Sequence, residues 1–139
     1  MSDLVRFGVS LDKELLRVFD ALIREKKYTN RSEALRDLIR QELVDREWRQ
    51  DDREVAGAIT FVYDHHQRTL LNQITDIQHD FHEIIISTQH IHLDHDNCLE
   101  IIAVKGSARD IQRLADRLKS VKGVHHGILS MSSTGRDLM

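Results

Sequence analysis

The chain of 139 residues contains no proline and only one cysteine. A single cysteine cannot form a disulfide within the chain, which suits a reducing compartment. No apolar run approaches the ~20 residues that a membrane-spanning helix needs, and the first residues, MSDLVRFGVS, lack the basic and then apolar pattern of a signal peptide. These absences speak against a secreted, disulfide-stabilised or membrane-spanning protein, and we expect a cytoplasmic one.

The chain also lacks a large excess of charge of one sign. It contains 20 Lys and Arg against 23 Asp and Glu, a formal net charge of −3, and all 9 of its histidines lie at position 65 or later. Between the two halves, residues 45–54 (DREWRQDDRE) are mostly charged and contain no glycine, so that they could continue a helix. We place a domain boundary there, between residues 1–50 and residues 51–139.

The first domain shows the pattern of one strand followed by two helices. Apolar and polar residues alternate over residues 4–11, which predicts a strand. Asp12 is expected to cap the first helix, and Asn30 with Glu33 three residues later resembles a capping box at the start of the second. The inner face of the second helix is predicted to consist of Ala34, Leu35, Leu38, Ile39 and Leu43.

A domain of this size buries too little surface to be stable alone, and a single strand has two unpaired edges. The simplest solution is a symmetric dimer in which two copies of residues 4–11 pair antiparallel, with their apolar side chains against the helices. Arg6, Gly8 and Ser10 would then point outward on a two-stranded ribbon. Such a ribbon fits the major groove of double-stranded DNA.

The start of the second helix, near Arg31 and Ser32, would offer backbone N–H groups to a phosphate. Together these features resemble the ribbon-helix-helix DNA-binding family, through the strand VRFGVSLD (residues 5–12) and the stretch YTNRSEALRDLIR (residues 28–40). The alternative is a dimerisation module that does not bind DNA. Because the net charge is close to zero, the affinity for DNA would have to come from specific contacts rather than from overall charge.

The second domain alternates strand and helix patterns twice. Ser107 is expected to cap its last helix, and Gly123 to end it. Strands are predicted over residues 55–63, 84–93, 98–105 and 124–131. The resulting order, β-α-β-β-α-β, is that of a ferredoxin-like or ACT-like domain, whose sheet has helices on one face and is free to pack on another subunit with the other. The fold class is therefore α+β, with a dimeric β-α-α module first.

The most informative spacing in the second domain is His90-x-His92 followed by Cys98. Residues two apart on a strand point to the same face, so both imidazoles do. A five-residue connection, residues 93–97, places His92 opposite Cys98, whereas a four-residue loop would send the thiol to the other face. With the first register, two imidazoles and a thiolate form a three-point metal site, and Glu100 opposite His90 can accept a hydrogen bond from an imidazole N–H.

His79 lies near the end of the preceding helix, too far from that sheet face to be expected there within its own subunit. Across a face-to-face subunit contact it would supply a fourth ligand. The ligand types alone admit Zn(II), Cu(II), Ni(II) or Co(II). We interpret His82 and His95 as auxiliary or alternative ligands. Four further histidines are interpreted as solvated surface, namely His65, His66, His125 and His126.

The two halves together resemble the nickel-responsive transcriptional regulators of the NikR family, over roughly residues 4–132. The most specific part of the resemblance is QHIHLDHDNCLEI, residues 89–101. It implies a square-planar Ni(II) site shared by two subunits, with the ligands His79, His90, His92 and Cys98. It also implies a homotetramer, a dimer of dimers, that binds a palindromic operator and represses nickel-uptake genes. A further cation between the two domain types is implied at Glu33 and Asp37, which on pattern alone would be a solvated helix face.

Two alternatives to a nickel-dependent regulator stay open at this point. A metal with three protein ligands and an open position would suit a metal-dependent hydrolase, but a fourth ligand, His79, closes that position, so we expect no enzyme. A ribbon-helix-helix regulator that responds to another metal or a small ligand is the second alternative. DNA binding that does not depend on metal would support a regulator that responds to a small ligand and whose histidines bind no metal.

Overall fold

The computed structural model describes residues 3–138, so the outermost ends of the two predicted domains, residues 1–2 and residue 139, lie outside the described residues. The chain forms two compact units, of which the first ends at Ile39 and the second begins at Arg40. The elements are α1 (Lys13–Glu25), α2 (Arg31–Trp48), β1 (Glu54–Asp64), α3 (Arg68–Asp80), β2 (Ile85–His92), β3 (Asn97–Ser107), α4 (Ala108–Ser120) and β4 (Val124–Met131). Among the described residues, no helix is long and apolar enough to cross a membrane.

Both helices of the first unit begin at the residues that the sequence predicts. The Asp12 carboxylate accepts a hydrogen bond from the backbone N–H of Glu14 at 2.8 Å. The Asn30 side chain accepts one from the backbone N–H of Glu33 at 2.9 Å. These acceptors satisfy N–H groups that have no partner within the helix. Both predicted helix starts are therefore confirmed.

The segment before α1, residues 3–12, has neither helix nor strand in the single chain. Among the described residues, no strand of this chain pairs with residues 4–11, and a β-strand needs a neighbouring strand for its ladder of hydrogen bonds. The apolar side chains of this segment are exposed, Phe7 to 75% and Val9 to 57%. On the predicted inner face of α2, Leu38 is also half exposed, at 50%. The first unit thus presents apolar surface that its own chain does not cover.

The second unit contains one four-stranded sheet with the strand order β2-β3-β1-β4, and each pair of neighbouring strands is antiparallel. Helix α3 connects β1 to β2, and α4 connects β3 to β4. This arrangement confirms the predicted β-α-β-β-α-β domain. Strand β2 lies at one edge of the sheet, which places the hairpin between β2 and β3 at the periphery of the domain.

Helices α3 and α4 cover one face of this sheet. From Cys98 to Val104 every second residue of β3 is buried, and so are Tyr63, Phe61 and Ile59 opposite the first three of them on β1. They pack against apolar side chains of the two helices, which include Leu70, Ile74, Ile111, Leu114 and Leu118. Complete burial of such a side chain stabilises a fold by about 1.5–3 kcal/mol. On the opposite, open face, Ile128 lies beside Thr60 of β1 and is 51% exposed.

The two ends of α4 differ in how well the sequence predicts them. At its start, the Ser107 hydroxyl accepts a hydrogen bond from the backbone N–H of Asp110 at 3.2 Å, as expected. The helix ends earlier than Gly123, since it stops at Ser120 and Val121 is its C-cap. Gly123 instead has a φ of 102° in the turn before β4, a conformation that favours glycine.

The charged stretch after the first domain is helical only in its first part. Helix α2 ends at Trp48, and turns lead to β1. The indole of Trp48 is 3% exposed, and its N–H donates a hydrogen bond to the backbone carbonyl of Ser132 at 2.8 Å. A buried indole N–H needs such a partner. Farther along, Arg53 forms an ion pair with Asp137, so contacts within the second unit hold this stretch at two points.

Candidate metal centre and nucleic-acid interface

The hairpin between β2 and β3 has the register that the sequence predicts. His92 pairs with Cys98, and His90 pairs with Glu100. Because directly opposite residues on antiparallel strands point to the same face, both imidazoles lie on the face of the thiol. In the turn, the Asp94 carboxylate accepts hydrogen bonds from the backbone of Asp96 at 2.9 Å and of Asn97 at 2.8 Å. These backbone contacts hold the pKa of the Asp94 carboxyl below its usual value.

This face is the one that α3 and α4 cover. Cys98 is 2% exposed and belongs to the hydrophobic core, and Gln78 of α3 donates a hydrogen bond to Glu100. The candidate ligands thus lie at the β2 edge of the helix-covered face. A second subunit that approached the open face of the sheet would not reach them, which differs from the face-to-face contact expected from the sequence. A histidine from another subunit has to approach from the helix side or from the β2 edge.

Glu100 is a fully buried carboxylate that contacts three polar side chains. Its oxygens lie 2.8 Å from His90 Nδ1 and accept hydrogen bonds from the hydroxyl of Tyr63, at 3.0 Å, and from the amide of Gln78. Burial raises the pKa of the Glu100 carboxyl, and the three contacts, His90 first, oppose that rise. Burial and the nearby carboxylate also raise the pKa of Tyr63. The result is a fixed acceptor directly beside the first candidate ligand.

The three predicted ligands of one chain have different neighbours. His90 contacts Glu100, whereas the ring of His92 lies 4.9 Å from that of His65 in an edge-to-face arrangement. Cys98 Sγ lies 3.8 Å from the carbonyl of Leu99. Within residues 3–138, these donors do not meet within 4.8 Å of one another. Each of the three donors therefore has a neighbour of its own, and side-chain rotation would be needed to bring all three onto one ion.

His79, the predicted fourth ligand, lies exposed on the last turn of α3. Its ring is 5.9 Å from that of His82, and a ring nitrogen of His82 lies 2.9 Å from the backbone carbonyl of His79. The other auxiliary candidate, His95, is in the turn between β2 and β3. There its ring lies 5.1 Å from that of His66. The two auxiliary candidates therefore belong to different parts of the domain.

His65 and His66 were predicted to be plain surface residues, but the structure places them beside the candidate ligands. Asp64, the last residue of β1, pairs with Asn97 at the start of β3. The residues after β1 therefore meet the turn before β3, and the backbone N–H of His65 donates to the carbonyl of Asp96 at 3.1 Å. The pairing of β1 with β3, which the predicted fold already implies, is the signal that would have revealed this proximity.

The candidate DNA contacts all lie in the first unit. Arg6, Gly8 and Ser10 are exposed, and Gly8 has no other group within 4 Å of where a Cβ would be. The guanidinium of Arg31 donates two hydrogen bonds of 2.9 Å to the carboxylate of Asp20, and the contact lowers the pKa of Asp20. Arg31 therefore has a partner within its own chain, while the neighbouring Ser32 is exposed.

The acidic pair on α2 has partners of its own. Asp37 accepts a hydrogen bond from the Tyr28 hydroxyl at 2.8 Å, which raises the pKa of Tyr28. Glu33 forms an ion pair with Arg36, one turn later on the same helix. Both contacts lie within the first unit. That Glu33 and Asp37 bind a cation stays a prediction.

Comparisons with known proteins agree with both halves of the chain. Residues 5–46 match the family described as "Ribbon-helix-helix protein, copG family", and residues 56–132 match "NikR C terminal nickel binding domain". The fold and these matches define the class, a DNA-binding transcription regulator with a metal-responsive domain. The second unit has a distant likeness to the ACT domain of the GTP pyrophosphokinase of Chlorobium tepidum, with a TM-score of 0.48 at 19% identity, over 55% of this chain and 97% of that one.

The chain belongs to the NikR family of nickel-responsive regulators. It is 67% identical over 136 residues to a nickel-responsive regulator of Syntrophus aciditrophicus (strain SB), covering 98% of both chains. A second such regulator, from Nitratidesulfovibrio vulgaris (strain DP4), is 56% identical over 138 residues, which cover 99% of both chains. Ni(II) is therefore the metal of this regulator, and the family is one of transcription regulators rather than enzymes. The hydrolase alternative is not supported.

Proposed function

We propose that the chain is a nickel-dependent repressor of nickel-uptake genes, which binds operator DNA when Ni(II) is held by His90, His92 and Cys98 of one subunit and by His79 of another. The observation that carries this proposal is the register of the β2–β3 hairpin. It sets two imidazoles and one thiol on the same face, beside a buried acceptor. Imidazole nitrogen suits Ni(II), and a cysteine can add a thiolate to the set.

Each residue of the proposed site has a task of its own. Glu100 accepts the Nδ1–H of His90, which leaves Nε2 unprotonated and available to a metal. Cys98 has to lose its proton before it can act as a ligand. When bound, the ion supplies a link between two subunits that the chain alone does not have. His79 is suited to receive that link, because it is exposed at the end of α3.

We also propose a homotetramer, a dimer of dimers, in which residues 1–50 form DNA-binding dimers and residues 51–139 form the central core. The half-exposed Ile128 supports packing of the open sheet face against another copy. In the first unit, the uncovered groove lined by Phe7, Leu15 and Leu38 supports a second copy there. In each case, the apolar surface of one subunit would pack against the same surface of a second, identical subunit. A closed symmetric assembly has interfaces of this kind.

In the proposed dimer, two copies of residues 4–11 pair as an antiparallel ribbon. Their apolar side chains turn toward the helices, so that Arg6, Gly8 and Ser10 face the major groove of double-stranded DNA. Because Gly8 has no side chain, base contacts fall mainly to Arg6 and Ser10. The backbone at the start of α2, near Arg31 and Ser32, would bind a phosphate at the border of the groove.

Nickel acts as a switch if it favours the subunit arrangement in which both ribbon-helix-helix dimers reach their half-sites. A ligand shifts such an equilibrium only by its difference in affinity for the two arrangements. In this proposal the difference arises because His79 and the other three ligands come from different chains. An arrangement that separates those chains offers only an incomplete site.

The experiment that tests this function is a titration of operator binding with Ni(II), Cu(II), Co(II) and Zn(II) in parallel. By affinity order alone Cu(II) would bind most tightly, but we expect Ni(II) to give the tightest operator complex. Arg6→Ala should weaken that complex by at least about ten-fold, because each subunit loses a base contact worth about 1–3 kcal/mol, with unchanged nickel affinity. Operator binding of equal strength without metal would contradict the proposal.

A further inference from the structure

The turn after β1 and the turn between β2 and β3 bring a second group of metal-binding side chains together. We propose that His66, His95 and Asp96 form an exposed transition-metal site of their own, separate from the nickel ligands proposed above. All its donors come from one chain. It would therefore bind a divalent ion in each subunit whether or not the subunits associate.

Distances between the donor atoms support this site. One donor atom from each of the three residues lies within 4.8 Å of the other two, and no other group of three or more such residues among residues 3–138 meets this condition. Asp96 Oδ1 lies 3.1 Å from His95 Nδ1 and 3.5 Å from His66 Nε2. Metal–ligand bonds of about 2.0–2.2 Å set two ligands of one ion at most about 4.4 Å apart. Small rotations of the exposed imidazole rings are enough to bring the donor atoms from within 4.8 Å to within about 4.4 Å of one another.

The backbone on both sides of the site is held in place. On the β1 side, the Asp64 carboxylate accepts a hydrogen bond from the backbone N–H of His66 at 2.9 Å. The backbone of Asp96 is bonded to the Asp94 carboxylate on one side and accepts from His65 on the other. Ligands on such fixed turns lose less freedom when they bind an ion than ligands on a mobile loop would.

The side chains converge on a single point. The Nε2 atoms of His65 and His66 lie 2.8 and 2.9 Å from the same backbone carbonyl oxygen, that of His95. The two rings are 4.1 Å apart. If an ion binds there, an imidazole Nε2 would give up its hydrogen bond to this carbonyl, lose its proton and bind the metal instead. His65 thus stands next to the site as a further imidazole.

The donor set indicates which ions would bind. Two imidazoles and one carboxylate suit Zn(II), Cu(II) or Ni(II) rather than Ca²⁺ or Mg²⁺, which prefer oxygen. The side chains of His95 and Asp96 are 89% and 67% exposed. An ion here would therefore keep bound water, and ordering these free side chains costs affinity. We expect this site to be weaker than the nickel site.

The test counts metal ions bound to the full-length protein. Equilibrium dialysis against Ni(II) or Zn(II), followed by elemental analysis, should give one tightly bound and one weakly bound ion per chain. The double variant His66→Ala/His95→Ala should lose the weak ion and keep the tight one. The matched control is His125→Ala/His126→Ala, a pair of adjacent exposed histidines on β4, which should keep both.

A second measurement isolates the proposed site from the nickel site. In a His90→Ala/His92→Ala/Cys98→Ala background the residual ion should show, with Cu(II) as the probe, electron paramagnetic resonance splittings from imidazole nitrogen. These splittings should disappear when His66 and His95 are also replaced. Equal residual binding with and without those two histidines would overturn the proposal, as would an equal loss in the His125/His126 control. Neither result depends on whether the protein represses through nickel.

Discussion

The two units of the chain differ in how far a single copy completes them. The second unit buries Ile102, Ile111 and Leu114 fully in a core of its own. The first unit leaves Phe7 and Val9 mostly exposed and forms no strand over residues 3–12. In the assembly that we propose, the DNA-binding half needs a second copy to complete its fold, whereas the metal-binding half needs one only to complete its site.

We expect the largest effect from a charge placed on the apolar side of the N-terminal segment. Phe7→Glu would bury a carboxylate in the proposed dimer interface, which is costly without a partner charge. We expect loss of the N-terminal dimer and at least a hundred-fold weaker operator binding, with the same number of nickel ions per chain. Arg6→Ala is the control, because it alters the outward face and should leave the dimer intact. A Phe7→Glu protein that dimerises and binds the operator normally would contradict the account.

The core of the second unit should respond differently, through stability rather than association. Leu114→Ala removes a side chain that is completely buried within one chain. The cavity should lower the free energy of unfolding by about 2–5 kcal/mol. Leu93→Ala, in the turn after β2, alters a side chain that is 52% exposed and should cost far less. Denaturant unfolding followed by circular dichroism measures both, and equal losses would show that the described core is wrong.

A smaller effect is expected at the buried acceptor beside the site. Glu100→Gln keeps the size of the side chain but weakens the hydrogen bond from His90 Nδ1. Loss of such a supporting contact typically lowers metal affinity by about 10–100-fold, and we expect a nickel dissociation constant raised within that range. Glu83→Gln, an exposed residue after α3, is the matched control. Competition with a chelator of known affinity measures both, and unchanged affinity in Glu100→Gln would remove Glu100 from the proposed site.

Local signals in the sequence predict the parts of the fold that depend on neighbouring residues. Asp12, Asn30 and Ser107 were found as helix starts because a cap involves only residues within one turn. The end of α4 was predicted too late, since a glycine with positive φ marks any tight turn and not only a helix end. The strand over residues 4–11 stays a prediction, because in our proposal it forms by pairing with another chain.

For the site, alternation along the strands was sufficient to predict which donors share a face. A single register places Cys98 with both imidazoles, and the hairpin has it. The proximity of His66 to His95 was missed, because 28 residues separate them and only the pairing of β1 with β3 brings them together. The sequence also did not predict that His90, His92 and Cys98 lie on the face of the sheet that the helices cover. Alternation along a strand shows which residues share a face, but not which face the helices cover.

Mixing two inactive variants tests whether the nickel site is shared between subunits. His79→Ala and Cys98→Ala should each abolish nickel-dependent operator binding while leaving the tetramer intact. After the two proteins are unfolded and refolded together, some contacts pair an intact His79 with an intact Cys98. We predict that nickel binding and operator binding return in part. If neither returns in mixed tetramers, the ligands are not divided between subunits and the account is contradicted.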